Sequence, residues 1–493
     1  MANDPGSWRL KPPHDVNAQG LIVSPFSYLE AAHAYLLDTS GALGSGWLKS
    51  LRAVLAITDA NGKDVDPVTG KPNGCAALAF TAGGLSNLGV STEILGQFAQ
   101  PFIDGMHEPA RRKRLADDQL APPGRTQPFW GDSGGACEHP VHAALLLYHE
   151  TPGQLEVYGA PGLAALAASG VKIAHELRLS LKTDMSVHPP VVRENFGFAD
   201  GISQPVPCGD AIVTKKGQAY PRNPLHSIAA GDLMIGHVNA HGEPAPGPDL
   251  LANAPGATLL PVSPVDATKR SLGLDGSYLV MRELSQDVDA FWTSMQSAAK
   301  SLKGRDATWV AERVVGRDIN GVILAENPPP GDDEDGPGND FRFWDDDRDG
   351  LHCPLGSHIR RANPRDGLAP TVGTKATLLH AVNNHRILRR GRKYEAYAVP
   401  GAGEQPGLLF LCLNTDLERQ FEFIQQTWLL NPSFASLFNE RDPLLGPAGP
   451  FTVQAEPLRL RPAIDTFIRF VGGEYFYLPS ISALAYLSEL ASP

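Results

Sequence analysis

Short apolar runs alternate with helix-like segments in the first half of the chain. This pattern predicts two rounds of strand, helix and strand. The expected strands cover residues 32–38, 76–81, 141–149 and 171–179. The expected helices cover residues 43–55, 161–169 and a segment that Ser91 caps and that runs through Met106. Two such units are typical of an α+β sandwich of the ferredoxin-like kind.

The second half of the chain repeats this arrangement. Strands are expected over 277–284 and 407–413, and Ser285 is expected to cap the helix that follows the first of them. Apolar residues at helical spacing mark one face of each following helix: Val288, Trp292 and Met295 in the first, and Leu417, Phe421, Ile424 and Trp428 in the second. Residues 203–275 are rich in proline, glycine and polar residues. We therefore expect an N-terminal domain over 15–205, a connecting region over 206–275 and a C-terminal domain over 276–493.

Composition narrows the class of protein. The chain has 493 residues, 42% of them hydrophobic, which is ample for buried cores. Its formal charge is −12 and its longest basic run is Arg111 to Arg114, so neither nucleic acid nor an anionic membrane surface is an expected partner. Five scattered cysteines without CxxC spacing indicate neither a disulfide framework nor a zinc cluster, and favour a reducing compartment.

The N-terminal sequence predicts a cytoplasmic protein. It has no basic region followed by an apolar core and no twin-arginine pair, and no later segment reaches the length of a membrane span.

One carboxylate stands among aromatic and small residues in the stretch ENFGFADGISQP, residues 194–205. Gly197 and Gly201 flank Asp200 closely, and glycines allow positive φ angles and close approach of the backbone to a bulky, flat group. Neighbouring Phe196, Phe198 and Ile202 would keep such a site dry. The alternative is that Asp200 caps a helix or closes a turn.

A histidine beside several arginines defines a second stretch, HCPLGSHIRRANPRD, residues 352–366. His358 near Arg360, Arg361 and Arg365 suits a metal macrocycle that bears carboxylates, as haem does. A structural histidine is the alternative, and the Cys353-Pro354 pair offers a thiolate ligand instead. A third stretch, HRILRRGRKYE at 385–395, carries arginines that form either a solvated face or a group that stabilises developing negative charge.

The acidic segment 332–349 superficially resembles a calcium loop from Asp345 to Gly350. An EF-hand places glutamate at the twelfth position, where this chain has Gly356. A solvated acidic loop is therefore favoured, and a basic partner or a metal such as manganese stays open as an added function.

The three stretches, in this order, resemble the motifs of the dye-decolorising peroxidase family: GxxDG at 197–201, the haem-ligand region at 353–365 and the distal arginine region at 387–391. The resemblance implies two ferredoxin-like domains, each an antiparallel sheet with peripheral helices, and haem b held mainly by the C-terminal one. It also implies reduction of hydrogen peroxide and oxidation of dyes, phenols or other organic reductants through a ferryl haem. The alternative is a haem carrier or iron-release protein without peroxidase turnover.

The resemblance also implies roles for individual residues. His358 would be the axial iron ligand, Asp200 the distal acid and base, and Arg389 or Arg390 its partner, with Arg389 favoured. Arg360 would contact a haem propionate, and Gly201 and Ile202 would contact the cofactor. Asp416 is the candidate for a carboxylate at the far nitrogen of His358. It equally suits a helix N-cap, which leaves Glu418 and Glu422 as alternatives.

Overall fold

The computed structural model describes residues 8–490 except 63–72, 123–129, 132–138, 189, 215, 220–221, 327, 329–337, 400–402 and 455–458. Part of the acidic segment, 332–337, therefore lies outside the described residues. In its described part, the buried Asp347 accepts backbone N–H groups from Leu351, His352 and Cys353. This carboxylate closes a turn, as a structural acid does.

Eight strands of the nine-stranded main sheet close into an antiparallel barrel. We number the strands used below in chain order: β1 (Ala31–Asp38), β2 (Gly74–Phe80), β3 (Ala143–His149), β4 (Lys172–Ser180), β5 (Thr183–Asp184), β6 (Val191–Arg193), β7 (Ala199–Asp200), β8 (Ser277–Gln286), β9 (Leu388–Arg389), β10 (Arg392–Val399), β11 (Gly403–Asn414) and β12 (Ile468–Leu478). Around the ring the order is β8, β12, β2, β3, β1, β4, β10, β11, and β11 pairs again with β8. Strand β9 adds to β11 outside the ring.

Each half of the chain supplies four neighbouring strands of this barrel. Counted within a half, both sets follow the same spatial order: fourth, first, third, second. The two sets meet at short seams. One seam is the single pair Phe80 and Tyr477, and the other consists of Ser180 with Lys393 and Leu179 with Tyr394.

Fifteen α-helices lie around the barrel in the described part of the chain: α1 (His14–Asn17), α2 (Gly20–Val23), α3 (Gly46–Val54), α4 (Ala82–Leu88), α5 (Thr92–Leu95), α6 (Gln100–Asp104), α7 (Pro109–Leu115), α8 (Asp117–Leu120), α9 (Pro152–Ala168), α10 (Val288–Lys300), α11 (Ala307–Val315), α12 (Phe343–Asp346), α13 (His358–Ala362), α14 (Lys375–Asn383) and α15 (Ile481–Ser488). Two π-helical segments, Glu418–Glu422 and Ile424–Leu429, follow β11. No helix in the described ranges is long and apolar enough to cross a bilayer.

Alternating side chains give the barrel strands two buried faces. On β1, Ala32, Ala34 and Leu36 belong to one core, while Tyr35 and Leu37 belong to another that includes residues of helices α3 and α9. The alanine-rich face belongs to the core that also contains residues of α2, and helices α3 and α9 cover the other face. This is an α+β fold with antiparallel sheet.

The predicted strands agree with the structure to within about two residues in the first half, and the strand over 277–284 extends to Gln286. Ser285 is not a helix cap, because it pairs in the ladders of β8 with both Gly407 and Arg469. The cap is Asp287, whose side chain accepts the N–H of Ala290. The predicted boundaries at 205 and 275 stay predictions, since both sets of strands share one barrel.

Three predicted helices need correction. The helix expected over 161–169 begins at Pro152, so Pro161 lies inside it. The helix expected through Met106 is divided into α5 and α6. The segment after β11 has π-helical turns, although its four predicted apolar residues are all buried.

Candidate active site

A cavity of about 290 Å³ lies against the outer face of the C-terminal strands. Part of its wall comes from residues 194–203, which we call the motif loop, and every other lining residue comes from position 282 onward. Both Asp200 and His358 line this cavity. The structure therefore brings together two side chains that are far apart in the sequence.

The motif loop places Asp200 at the end of β7 and turns it toward the cavity. Gly197 has φ +100° and Gly201 φ +81°, as expected for a loop that requires glycine. No helix begins at Asp200, so the helix-cap alternative is wrong, although its Oδ1 accepts the N–H of Gly201 at 2.6 Å as a turn residue would. Ile202 lines the cavity, whereas Gly201 is not part of its wall.

Two charged residues that sequence reasoning missed hold the motif loop in place. Arg193 donates to the carbonyls of Gly197 at 2.9 Å and Ile319 at 2.6 Å. The carboxylate of Glu194 accepts the N–H groups of Phe196 and Phe198, both at 2.9 Å. Burial raises the pKa of Glu194 to about 6 in spite of these donors. Loop conformation thus depends on Glu194, which also lines the cavity.

Arg389 stands beside Asp200. Its Nη1 lies 3.4 Å from Oδ1 of Asp200, and its Nη2 donates to the carbonyl of Ile202 at 2.7 Å. The backbone N–H of Arg389 donates to Oε1 of Gln204 at 3.0 Å, which ties β9 to the end of the motif loop. Arg390 points elsewhere, since its guanidinium donates to the carbonyls of Leu21 and Ile22. Of the two arginines, the structure places Arg389 at the site.

His358 begins α13 and faces a buried carboxylate. Its Nδ1 lies 3.0 Å from Oδ2 and 3.2 Å from Oδ1 of Asp442. Burial alone would raise the pKa of Asp442, but the charge and hydrogen bond of His358 and the N–H of Leu445 together hold that pKa below its ordinary value. An ionised carboxylate only accepts hydrogen bonds, so Nδ1 carries a proton, and Nε2 is the ring nitrogen left for another partner.

One cavity thus brings together a histidine paired through Nδ1, an acid and an arginine. No model of a protein family matches the chain. The multifunctional dye peroxidase of an Amycolatopsis species is 29% identical over 464 residues, which cover 89% of this chain and 87% of that protein. The dye-decolorizing peroxidase msp1 of Mycetinis scorodonius is 26% identical over 451 residues, 85% and 77% of the two chains.

Over most of its length the chain is similar to dye-decolorising peroxidases. Solved structures agree in fold. A peroxidase of this type from an Anabaena species superposes with a TM-score of 0.72 at 23% identity, over 96% of this chain and 94% of that one. A dye-decolorizing peroxidase in complex with 2,6-dimethoxyphenol gives 0.68 at 23% identity, over 97% and 100%.

Similarity to these peroxidases leads us to expect haem, whose carboxylates require positive partners. Arg317, Arg365 and Arg386 all line the cavity and are buried. Their guanidiniums donate only to carbonyl and amide oxygens in the described chain, for example Arg386 to Ser203 and Arg365 to Phe341 and Asn339. Burial lowers the pKa of Arg317 and of Arg386 to about 10, so both stay charged at neutral pH.

Buried charges without a counter-charge are costly, and a bound dianion would offset that cost. The donor set of this cavity, which combines an imidazole Nε2 with uncompensated guanidiniums and apolar walls, therefore fits haem. Arg282 does not belong to this set because Asp117 neutralises it.

The structure does not place Arg360, the predicted propionate contact, on the wall of the cavity. Its buried guanidinium donates to Asp347 at 3.3 Å and to the carbonyl of Cys353 at 2.8 Å, and it does not line the cavity. Two residues along a helix correspond to a rotation of about 200°, so Arg360 and His358 leave α13 on different sides. Cys353 is also buried outside the cavity wall, and burial raises the pKa of its thiol to about 11, which does not suit a thiolate ligand.

The prediction that Asp416 is the carboxylate at His358 is wrong as well. Asp416 accepts the backbone N–H of Arg419 at 2.9 Å, as a residue at a helix start does, and that position belongs to Asp442 instead. Glu418 is exposed, and Glu422 accepts from Arg111 at 2.6 Å and from Tyr475 at 2.8 Å. No local pattern connects His358 with a residue 84 positions later.

Proposed function

We propose that this chain is a haem peroxidase that reduces hydrogen peroxide and oxidises dyes, phenols and other organic reductants. The observation that carries this proposal is that one cavity holds both the His358–Asp442 pair and the Asp200–Arg389 pair. A haem carrier needs a ligand for iron, but it has no use for an acid and an arginine positioned together. Relatives named dye-decolorizing peroxidases support the same activity.

Different residues of the cavity would bind different parts of haem b. Nε2 of His358 would ligate the iron, with the ring oriented by the hydrogen bond from Nδ1 to Asp442. Arg365 and Arg386 would bind the propionates, since each can offer two N–H groups to a carboxylate. The motif loop would contact the cofactor through Ile202 and present Asp200 to the same cavity. Haem b is the form that requires no covalent link to the chain.

When bound, the haem iron supplies the redox chemistry that cleaves the O–O bond of peroxide. Asp200 would accept a proton from one peroxide oxygen and return it to the other, which leaves as water. The Arg389 guanidinium stabilises negative charge on that departing oxygen. Asp442 raises the basicity of His358. Reduction of one peroxide to two waters consumes two electrons and two protons, and the organic reductant supplies both electrons.

The finer architecture is also a proposal. Each half would be one ferredoxin-like domain, which the repeated strand order of fourth, first, third, second supports. Haem would sit mainly in the C-terminal half, because most of the cavity wall comes from that half. Cytoplasmic location remains the expectation from the sequence.

The test is steady-state oxidation of 2,6-dimethoxyphenol and of an anthraquinone dye by the haem-loaded protein at varied peroxide concentration. We expect Asp200→Asn to lower kcat/KM for peroxide by roughly 10²- to 10⁴-fold, the usual contribution of a general acid–base group. Asp210→Asn changes an exposed carboxylate outside the cavity wall and serves as the control, with unchanged kinetics.

One result would contradict the proposed function, and a second would contradict only the role of Asp200. Haem that binds to the chain but is only bleached by peroxide, without turnover of either reductant, would favour the carrier. Full peroxide turnover by Asp200→Asn would remove the acid–base role while leaving the peroxidase intact.

A further inference from the structure

Two histidines and one aspartate converge at a place that the peroxidase cavity does not include. Nδ1 of His14 lies 2.8 Å from Oδ1 of Asp275, and Nε2 of His237 lies 2.6 Å from the same oxygen. The three ligand atoms lie within 4.8 Å of one another. Among the described residues, no other group of three histidine, cysteine or carboxylate side chains converges in this way.

We propose that His14, His237 and Asp275 bind one divalent transition metal ion, with zinc as the representative ion. Two imidazoles and a carboxylate on one side of an ion leave further positions for water, and this donor set suits zinc, iron, cobalt or nickel. Calcium and magnesium prefer ligand sets made of oxygen atoms, so they fit poorly. None of the three residues lines the cavity.

The environment of Asp275 is that of a prepared ligand. Its side chain is 1% exposed, and Nδ2 of Asn17 donates to its second oxygen at 2.8 Å, which leaves Oδ1 to face both imidazoles. The residue adopts φ +64°, a conformation that aspartate and asparagine tolerate better than most residues. A hydrogen bond to the non-ligating oxygen is the usual support of a metal-binding carboxylate.

Ion binding requires the three ligand atoms, which lie within 4.8 Å of one another, to rearrange around the ion. Two ligands of a tetrahedral zinc, each about 2.0 Å from the ion, lie about 3.3 Å apart. The histidine nitrogens must therefore separate from Oδ1 by roughly half an ångström. His14 is 25% exposed, so it can move and also gives the ion a path from solvent.

The ion would connect three segments that are distant in the chain. His14 and Asp275 are separated by 261 positions, and one residue lies between Asp275 and the start of β8, whose Arg282 and Leu284 line the cavity. Asn17 also accepts the N–H of Ser482 at the beginning of α15. The expected role of the metal is to fasten the N-terminal segment onto the barrel.

The competing explanation is that both imidazoles only donate hydrogen bonds to Asp275. Isothermal titration calorimetry distinguishes the two explanations. ZnCl₂ is titrated into untagged, haem-loaded protein from which a chelator has removed other metal ions. We expect one zinc per chain in the wild type, at least 100-fold weaker binding by His237→Gln and Asp275→Asn, and wild-type binding by His241→Gln. His241 is an exposed neighbour outside the cluster and is the matched control. Zinc should raise the unfolding temperature of the wild type and not that of Asp275→Asn.

Wild-type protein without a stoichiometric zinc site, or variants that bind as tightly as wild type, would overturn the proposal. If the variants fold poorly, X-ray absorption of the zinc-loaded wild type decides the question. A zinc coordination sphere of two imidazoles and oxygen ligands supports the site. A coordination sphere that contains sulfur or only one imidazole contradicts it.

Discussion

Replacement of Asp442 by asparagine changes the environment of His358 with little change in shape. In the native protein Oδ1 of Asp442 accepts the N–H groups of Leu444 and Leu445, at 3.0 and 2.8 Å. The asparagine oxygen can keep these two bonds, which places its NH₂ group where Oδ2 was, 3.0 Å from Nδ1 of His358. Two donors then face each other. The imidazole must either bond weakly to the remaining neutral oxygen or move its proton to Nε2, the atom that would bind iron.

The size of the effect follows from the bond that is lost. A hydrogen bond to a buried, ionised partner contributes about 1.5–3 kcal/mol, and each 1.4 kcal/mol is a factor of ten in affinity. The Asp442→Asn apoprotein should therefore bind haem roughly 10- to 150-fold more weakly than wild type. In the haem that does bind, the bond between iron and His358 should be weaker, which a shifted Soret band would show.

The assay is optical titration of apoprotein with haem, compared among wild type, Asp442→Asn and Asp416→Asn. Asp416 is the matched control because it is the carboxylate that the sequence suggested and that the structure places against Arg419. Its variant should bind haem as wild type does. Unchanged haem affinity and spectrum in Asp442→Asn would refute the reasoning, and a loss confined to Asp416→Asn would restore the original assignment.

Three further predictions test the cavity and its support. Arg386→Lys should weaken haem binding by about tenfold, since lysine cannot give two parallel N–H bonds. Arg360→Lys is the control and should leave haem affinity unchanged. An equal decrease in haem affinity for the two variants would contradict this prediction. Gly316→Ala should lower the free energy of unfolding by about 1–3 kcal/mol more than Gly304→Ala, because a Cβ at 316 lies 2.5 Å from Cγ1 of Ile359 and one at 304 meets nothing within 4 Å. Both glycines have positive φ, so backbone strain affects the two variants alike. An equal decrease in the free energy of unfolding, measured with urea, would mean that the Cβ at 316 does not clash with Ile359. Burial raises the pKa of Glu194 from 4.5 to about 6, so the folded chain binds more protons there than the unfolded chain, and stability should fall by about 2 kcal/mol as pH rises through that window. Glu194→Gln should remove this part of the pH dependence in urea unfolding; an unchanged pH slope would rule the effect out.

The sequence predicted what depends on neighbouring residues. Buried strands such as 76–81 and 171–179 are recognisable from short apolar runs, and the GxxDG motif identified Asp200 together with the glycines at positive φ. Arg389 followed from its place after an apolar pair. In each case the informative residues lie within one loop or strand.

Features that depend on distant contacts could not be predicted. Asp442 belongs to an irregular segment far beyond His358, and a lone aspartate there has the same local appearance as Asp416. Arg360 was misplaced because sequence proximity to His358 does not say which side of α13 a residue occupies. Glu194 and Arg386 stood within the quoted stretches, but only the folded chain shows that one holds the motif loop and the other lacks a counter-charge.

The closure of the barrel by β12 has a consequence for synthesis of the protein on the ribosome. Strand β12 is made last among the eight, and it pairs with both β8 and β2. A nascent chain without it presents two unpaired strand edges and lacks Ile468 of the cavity wall. Asp442, too, is translated long after His358. The cavity wall and the ring of strands are therefore complete only when almost the whole polypeptide has been made, and until then the edges of β8 and β2 that β12 covers stay unpaired.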